Sequence, residues 1–218
     1  MVKRAEQYTD LQIIEKILDG ELALFEILIR RNNPYLYKTG RSYNYSHEDT
    51  QDLMQETLIQ AFLYLSKFEN RASFKTWIIK IMLNNCYQKQ QKGSFKNQAP
   101  DEINEKDLPM FSSQHSDTQK NVVNRELQSV MENALQKVPE SYRVVFSLRE
   151  MNGLNVAETA ETLSITEANV KVRLNRAKAM LRKEIEKSYS PDDIFEFNLI
   201  YCDAIVKNVM EEIAEITR

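Results

Sequence analysis

Two long stretches in which apolar residues recur every three to four positions, parted by one stretch with no period, constrain this chain most. The first runs from Asp10 to about Lys92 and the second from about Asn121 to Lys187. That spacing is the signature of amphipathic helices, because a strand would alternate every second residue. Between them lies QKGSFKNQAPDEINEKDLPMFSSQHSDTQK, which is polar and carries two of the 5 prolines. A run of that length without periodicity suits an interdomain linker better than a loop inside one core. Turn chemistry agrees: 218 residues hold 4 Gly and 5 Pro, too few for the tight turns of a sandwich or barrel. Ser190-Pro191 breaks the chain again, since proline disfavours helix in the residue before it. The expected fold is all-α, with two small helical domains joined by a flexible linker and followed by a C-terminal helical extension. The expected bounds are 1–92 for the first domain, 93–120 for the linker, 121–188 for the second domain and 189–218 for an acidic tail. One continuous helical domain with a long loop is the alternative.

Charge is segregated along the chain. The net charge is −3, which alone argues against a free-standing nucleic-acid binder. Residues 1–92 hold 13 basic and 11 acidic side chains, and residues 121–188 hold 11 and 9, so each carries net +2. The linker, with 3 and 5, is net −2, and the tail, with 2 and 7, is net −5. Two cysteines, Cys86 and Cys202, exclude a disulfide framework, and no Cys/His cluster has zinc-ligand spacing. No metal or cofactor is expected. No apolar run approaches the ~18–20 residues of a membrane span, and the N-terminus lacks a signal peptide's apolar segment, so no membrane insertion and a cytoplasmic location are expected. His47 and His115 sit in polar, loop-like surroundings without a Ser or Cys partner in a known spacing, which gives a small enzyme little support.

The most specific pattern is VAETAETLSITEANVKVRLNRAKAMLRKEI, a helix-turn-helix. Val156, Ala160 and Leu163 share one face of a short helix, Ser164-Ile165 makes the turn, and Thr166 is a good N-cap for the second helix. At about 100° per residue, Val170, Leu174, Ala177 and Leu181 form its buried stripe. The opposite face carries Val172, Asn175, Arg176, Ala179 and Lys183, flanked by Lys171 and Arg173. Such a helix suits the major groove, where Arg or Lys reaches guanine or phosphate, Asn pairs with adenine and Val172 meets a thymine methyl. An ordinary hairpin with a solvated basic face is the plainer reading. Upstream, VPESYRVVFSLREMNGLN supplies a supporting helix starting near Pro139, with Val145, Phe146 and Leu148 as core.

In the first block, Leu53, Met54, Thr57, Leu58, Ala61, Phe62 and Leu65 fall on the core half of a helix. Asp52, Gln55 and Glu56 share the other half with Ile59 and Leu63, a mixture that suits a protein-docking face or a helix buried on both sides. The next helix has Phe74, Ile78 and Ile81 as core. Beside them Trp77, Lys80, Asn84, Tyr87 and Gln91 form a second stripe. Aromatic rings among Lys, Asn and Gln offer stacking surfaces, a phosphate partner and donors for base edges of single-stranded DNA. Trp77 and Tyr87 also fit as half-buried core aromatics.

These residues resemble bacterial sigma factors of the sigma-70 class, in the extracytoplasmic-function (ECF) group. EDTQDLMQETLIQAF is similar to the helix that docks on RNA polymerase. FENRASFKTWIIKIMLNN is similar to the segment that opens and reads the −10 element. The helix-turn-helix with its upstream helix, LQKVPESYRVVFSLREMNGLNVAETAETLSITEANVKVRLNRAKAMLRKE, resembles the domain that reads the −35 element. The resemblance implies a transcription initiation factor that directs RNA polymerase core to promoters and assists their opening. It implies no catalytic residues, because polymerase supplies the chemistry. It assigns polymerase contact to Asp52, Gln55, Glu56 and Ile59. Contact with the single-stranded −10 element falls to Phe68, Asn70, Arg71, Trp77, Lys80, Asn84 and Tyr87. Contact with the double-stranded −35 element falls to Lys171, Val172, Arg173, Asn175 and Arg176. Core polymerase and promoter DNA are the implied partners, with room for an anti-sigma factor. The chain departs from the family at Ser164, where glycine is common, at Ala168-Asn169, often Gly-Thr, and at QKQQK, usually arginine-rich. A LuxR-type regulator shares the helix-turn-helix, but the first 92 residues lack the strand-like alternation of its usual receiver domain.

The tail carries one more expectation. Ile205, Val206, Val209, Met210 and Ile213 make an apolar stripe among Asp203, Glu211, Glu212 and Glu215. Such a tail either folds back to restrain DNA binding by the basic helix or packs behind the second domain and stabilises it.

Overall fold

The structure, a computed structural model, describes residues 7–93 and 129–187. The linker beyond Gly93, His115 and the whole acidic tail with its apolar stripe lie outside these residues. Every element among the described residues is helical, as the periodicity requires.

In the first domain, α1 (Asp10–Leu18) starts at a capping box in which Thr9 and Gln12 satisfy each other's backbone N–H groups. A single 3₁₀ turn (Leu22–Leu24) leads into α2 (Phe25–Arg41). Helix α3 (His47–Leu63) opens under Ser46, whose hydroxyl accepts from the Asp49 N–H at 3.0 Å. Helix α4 (Phe74–Gly93) opens under Ser73, which accepts from the Thr76 N–H at 3.1 Å. Leu28, Leu36, Leu53, Ala61, Phe74, Ile78 and Met82 close the core between α2, α3 and α4. The three helices approach closely at Gly40, where a Cβ would stand 2.7 Å from Thr50 Cγ2 and 2.9 Å from Met82 Cε.

Cys86 is fully buried in this core, and burial pushes its thiol pKa up to about 12. The reactive species is the thiolate, so Cys86 should resist iodoacetamide in the native protein and react only in denaturant. Peptide mass spectrometry checks this, and rapid native alkylation at Cys86 would contradict its packing.

The second domain begins with a helix over 129–136, followed by α5 (Glu140–Phe146) under Pro139. A π-helical turn over Ser147–Met151 carries the chain to α6 (Val156–Leu163) and α7 (Glu167–Ile185). Ala134, Leu135, Val138, Ala177 and Leu181 form one core, and Val145, Ala160 and Val170 another.

Three expectations need correction. Helical spacing puts Phe62 in the core, but it lies at the core's edge, 38% exposed, its ring resting edge-on against Phe25 with centroids 5.1 Å apart. His47 is not in a loop. It is the first residue of α3, and its Nδ1 lies 3.1 Å from the Tyr37 hydroxyl. The α4 core face of Phe74, Ile78 and Ile81 is incomplete, because Ile79 and Leu83 are also buried, against Val144, Leu148 and Leu154 of the second domain. The two domains are docked, and α4 is covered from both sides.

Candidate nucleic-acid interface

Helix α7 shows two faces. Val170, Ala177 and Leu181 are buried, while Lys171, Val172, Asn175 and Arg176 are exposed. Its N-cap is Thr166, which accepts from the Asn169 N–H at 3.2 Å, and Glu167 in the first turn suits the positive end of the helix dipole. Residues 171–183 hold six basic side chains and no acid. Two of the six form ion pairs: Lys178 with Glu150 at 2.8 Å, and Arg182 with Glu186 at 2.7 Å on an exposed edge. Arg173 is half-buried, its Nε donating to Asn169 Oδ1 at 3.0 Å. Arg176 Nη1 donates to the Tyr142 hydroxyl of α5 at 3.2 Å. Tyr142 therefore orients a candidate base-reading arginine, a role no spacing rule reveals, since the two lie 34 residues apart.

The turn between α6 and α7 places Ser164 in the left-handed region, at φ 53°. A side chain there costs about 1 kcal/mol that glycine avoids. Ser164→Gly should therefore raise unfolding stability by about 1 kcal/mol, read from denaturant midpoints. A lower midpoint would show that the serine hydroxyl contributes more than the strain removes.

On α3 the side chains of Asp52, Gln55, Glu56 and Ile59 are all exposed, Ile59 at 62%, and Leu63 beside them at 67%. Spaced three and four apart, they form one surface stripe. The alternative of a helix buried on both sides does not hold in the described residues.

The −10 candidates divide. Phe68 and Trp77 are half-buried and pack with Phe74, with ring centroids 5.3–5.7 Å apart. Asn70, Arg71, Lys80, Asn84 and Tyr87 are exposed. Asn70 adopts φ 54°, a conformation asparagine tolerates better than most residues, and Arg71 Nε lies 2.7 Å from Glu69. Lys80, Asn84 and Tyr87 follow one another along the outer side of α4. The neighbouring Asn85 is buried and donates to Thr57 Oγ1 at 3.1 Å. This bond pins the roll of α4 so that Asn84, not Asn85, faces out. Helical spacing already sets Asn84 on the outer stripe, while the partner that holds Asn85 inside is visible only in the fold.

Among the described residues no group of three or more His, Cys, Asp or Glu side chains could hold a metal ion. No helix among them is long and apolar enough to cross a membrane.

Comparison with known proteins places this geometry. The chain matches the family description Sigma-70 region 2 over residues 28–94 and Sigma-70 region 4 over residues 129–181. The ECF RNA polymerase sigma-E factor of Haemophilus influenzae is 26% identical over 191 residues, covering 84% of this chain and 98% of that protein. The RNA polymerase sigma-H factor of Pseudomonas aeruginosa is 24% identical over 191 residues, covering 85% and 96%. Among solved structures, CnrH in complex with the cytosolic domain of CnrY superimposes with TM-score 0.59 at 21% identity, covering 83% of this chain and 99% of that one. The sigma factor RpoE bound to the anti-sigma factor NepR, from Bartonella quintana, gives TM-score 0.59 at 21% identity, covering 74% and 96%. Both regions occur in the family's order, one on each helical domain, and the LuxR alternative is not favoured. The chain belongs to the sigma-70 family of RNA polymerase sigma factors, in its ECF group.

Proposed function

We propose that the first domain holds RNA polymerase core through Asp52, Gln55, Glu56 and Ile59 and the unpaired −10 strand through the α4 surface, while α7 reads the −35 element. A sigma factor directs polymerase to promoters, and this chain does so in transcription initiation. The observation that carries the division of labour is α7 itself, apolar within and basic without, capped and braced by α5 and α6.

Lys171, Val172, Arg173, Asn175 and Arg176 lie where a major-groove helix meets bases and phosphates. On α4, Lys80 offers a phosphate partner, Asn84 a base-edge donor and Tyr87 a stacking ring. Phe68 and Trp77, packed together, act as the wall against which Asn70 and Arg71 receive an unstacked base. Opening duplex DNA costs on the order of 1.4 kcal/mol per base step, and each captured base returns ~1–3 kcal/mol. The protein makes and breaks no bond, so it is not itself an enzyme. It acts in the cytoplasm, with core polymerase, promoter DNA and an anti-sigma factor as partners.

The experiment is transcription in vitro with core polymerase and this protein on a library of random promoters. Specific transcripts that depend on the protein are expected, and none with core alone. Two variants then separate the halves. Arg176→Ala should weaken promoter occupancy by about 1–3 kcal/mol through the −35 half. Asn84→Ala should leave the closed complex nearly intact and reduce permanganate reactivity of unpaired thymines. Normal opening by Asn84→Ala would remove it from the unpaired strand.

A further inference from the structure

Asn169 lies in the first turn of α7, outside the set of residues that spacing assigns to the −35 element, yet it stands among them. At about 100° per residue, Asn169, Arg173 and Arg176 fall within about 60° of one another. They share the flank of α7 on which Arg176 meets Tyr142 of α5. Asn169, Arg173 and Tyr142 are all half-buried, while Arg176 is exposed.

A guanidinium can meet a base through either of two edges: Nη1 with Nη2 at its end, or Nε with Nη2 along its side. Asn169 Oδ1 accepts from Arg173 Nε at 3.0 Å. That bond closes the side edge of Arg173 and leaves the end edge. The Tyr142 hydroxyl accepts from Arg176 Nη1 at 3.2 Å. That bond closes the end edge of Arg176 and leaves the side edge. Each arginine is held to a single edge, and the two edges differ.

Both acceptors stand on fixed atoms. The Asn169 backbone N–H is tied to the Thr166 hydroxyl at 3.2 Å, which sets where its side chain leaves the helix. The Tyr142 ring packs against the core that contains Ala177 and Leu181. An arginine held in this way gives up less freedom when it meets a base. Bidentate contact with the O6 and N7 of guanine needs two donors at a set angle, and a single free edge supplies them.

Resting on the −35 reading above, we propose that Asn169 and Tyr142 are positioning residues that set the base preference of the −35 element: Asn169 aims Arg173 end-on and Tyr142 aims Arg176 side-on, each at a guanine. Neither acts by touching DNA. An arginine freed from its acceptor turns between its two edges, and between base and phosphate. Affinity then largely survives, because phosphate contacts carry no sequence information, while discrimination falls.

The test uses the full chain assembled with core polymerase and double-stranded promoters randomised across the −35 element. Sequencing the bound and free fractions gives the preference at each base pair. Arg173→Ala and Arg176→Ala should each erase a guanine preference at one base pair, which identifies the pair that each arginine reads. Asn169→Ala should lower the guanine preference at the Arg173 pair about fivefold and leave the Arg176 pair as it was, and Tyr142→Phe should do the reverse. An equal loss at every base pair marks a merely structural role and overturns the proposal, as does an unchanged preference at the pair concerned. Preference for a base other than guanine at either pair overturns the edge assignment. Alanine suits a helix and phenylalanine keeps the packed ring, so circular dichroism should give both variants the melting temperature of the parent. Should one of them melt early, the other decides. If neither Arg173→Ala nor Arg176→Ala alters the preference at any base pair, the −35 reading itself falls.

Discussion

Asp52→Ala combined with Gln55→Ala should weaken binding to RNA polymerase core by about 100-fold and leave the melting temperature unchanged. Both side chains are exposed on α3, next to an isoleucine that is 62% exposed. Neither contributes to the core, which α3 enters through Leu53, Thr57 and Ala61. Two polar contacts, at least one of them charged, contribute about 3 kcal/mol together, and each 1.4 kcal/mol is about tenfold in affinity. Titration of labelled protein with core polymerase measures the loss, and circular dichroism measures the fold. A lowered melting temperature with unchanged affinity would make this stripe structural and remove it from the polymerase interface.

Arg143→Ala should cost about 3–5 kcal/mol of unfolding stability. Arg143 is 4% exposed, and burial lowers its guanidinium pKa towards about 10, which leaves it charged at neutral pH. It donates to three main-chain carbonyls: Ser42 at 2.6 Å, Gln136 at 2.9 Å and Val138 at 2.8 Å. Alanine would leave those acceptors without this donor and open a cavity between α5 and the end of α2. Lysine would keep the charge but cannot reproduce a planar fork reaching three oxygens, so Arg143→Lys should recover only part of the loss. Urea denaturation followed by far-UV circular dichroism gives the difference. A change below about 1 kcal/mol would mean that water replaces the guanidinium at no cost.

These two arginine- and carboxylate-centred results differ in how visible they were. The α3 stripe is legible from spacing alone, because positions 52, 55, 56 and 59 share one side of any helix drawn through them. Arg143 is not. In VPESYRVVFSLRE it looks like one more solvated charge, and only its carbonyl partners, one of them 101 residues away, explain its burial. Buried asparagines follow the same pattern: Asn85 and Asn152 are core residues because Thr57 and Thr39 meet them.

What the sequence by itself determined is local and periodic. Thr9, Ser46, Asn155 and Thr166 cap helices as their hydroxyl and amide groups dictate. The buried stripe of α7 lies at Val170, Ala177 and Leu181, and its basic side faces out, because 3.6 residues per turn leave no other arrangement. Tertiary structure decided the rest. It placed Phe68 and Trp77 in a packed wall and left Lys80, Asn84 and Tyr87 outside. It buried Ile79 and Leu83 under a domain whose own sequence lies some 60 residues downstream. Helical periodicity reports which side of a helix avoids water, but not which of several apolar surfaces will cover it. That choice depends on shape, and on donors and acceptors such as Arg41–Glu132 that find each other only when both domains are folded.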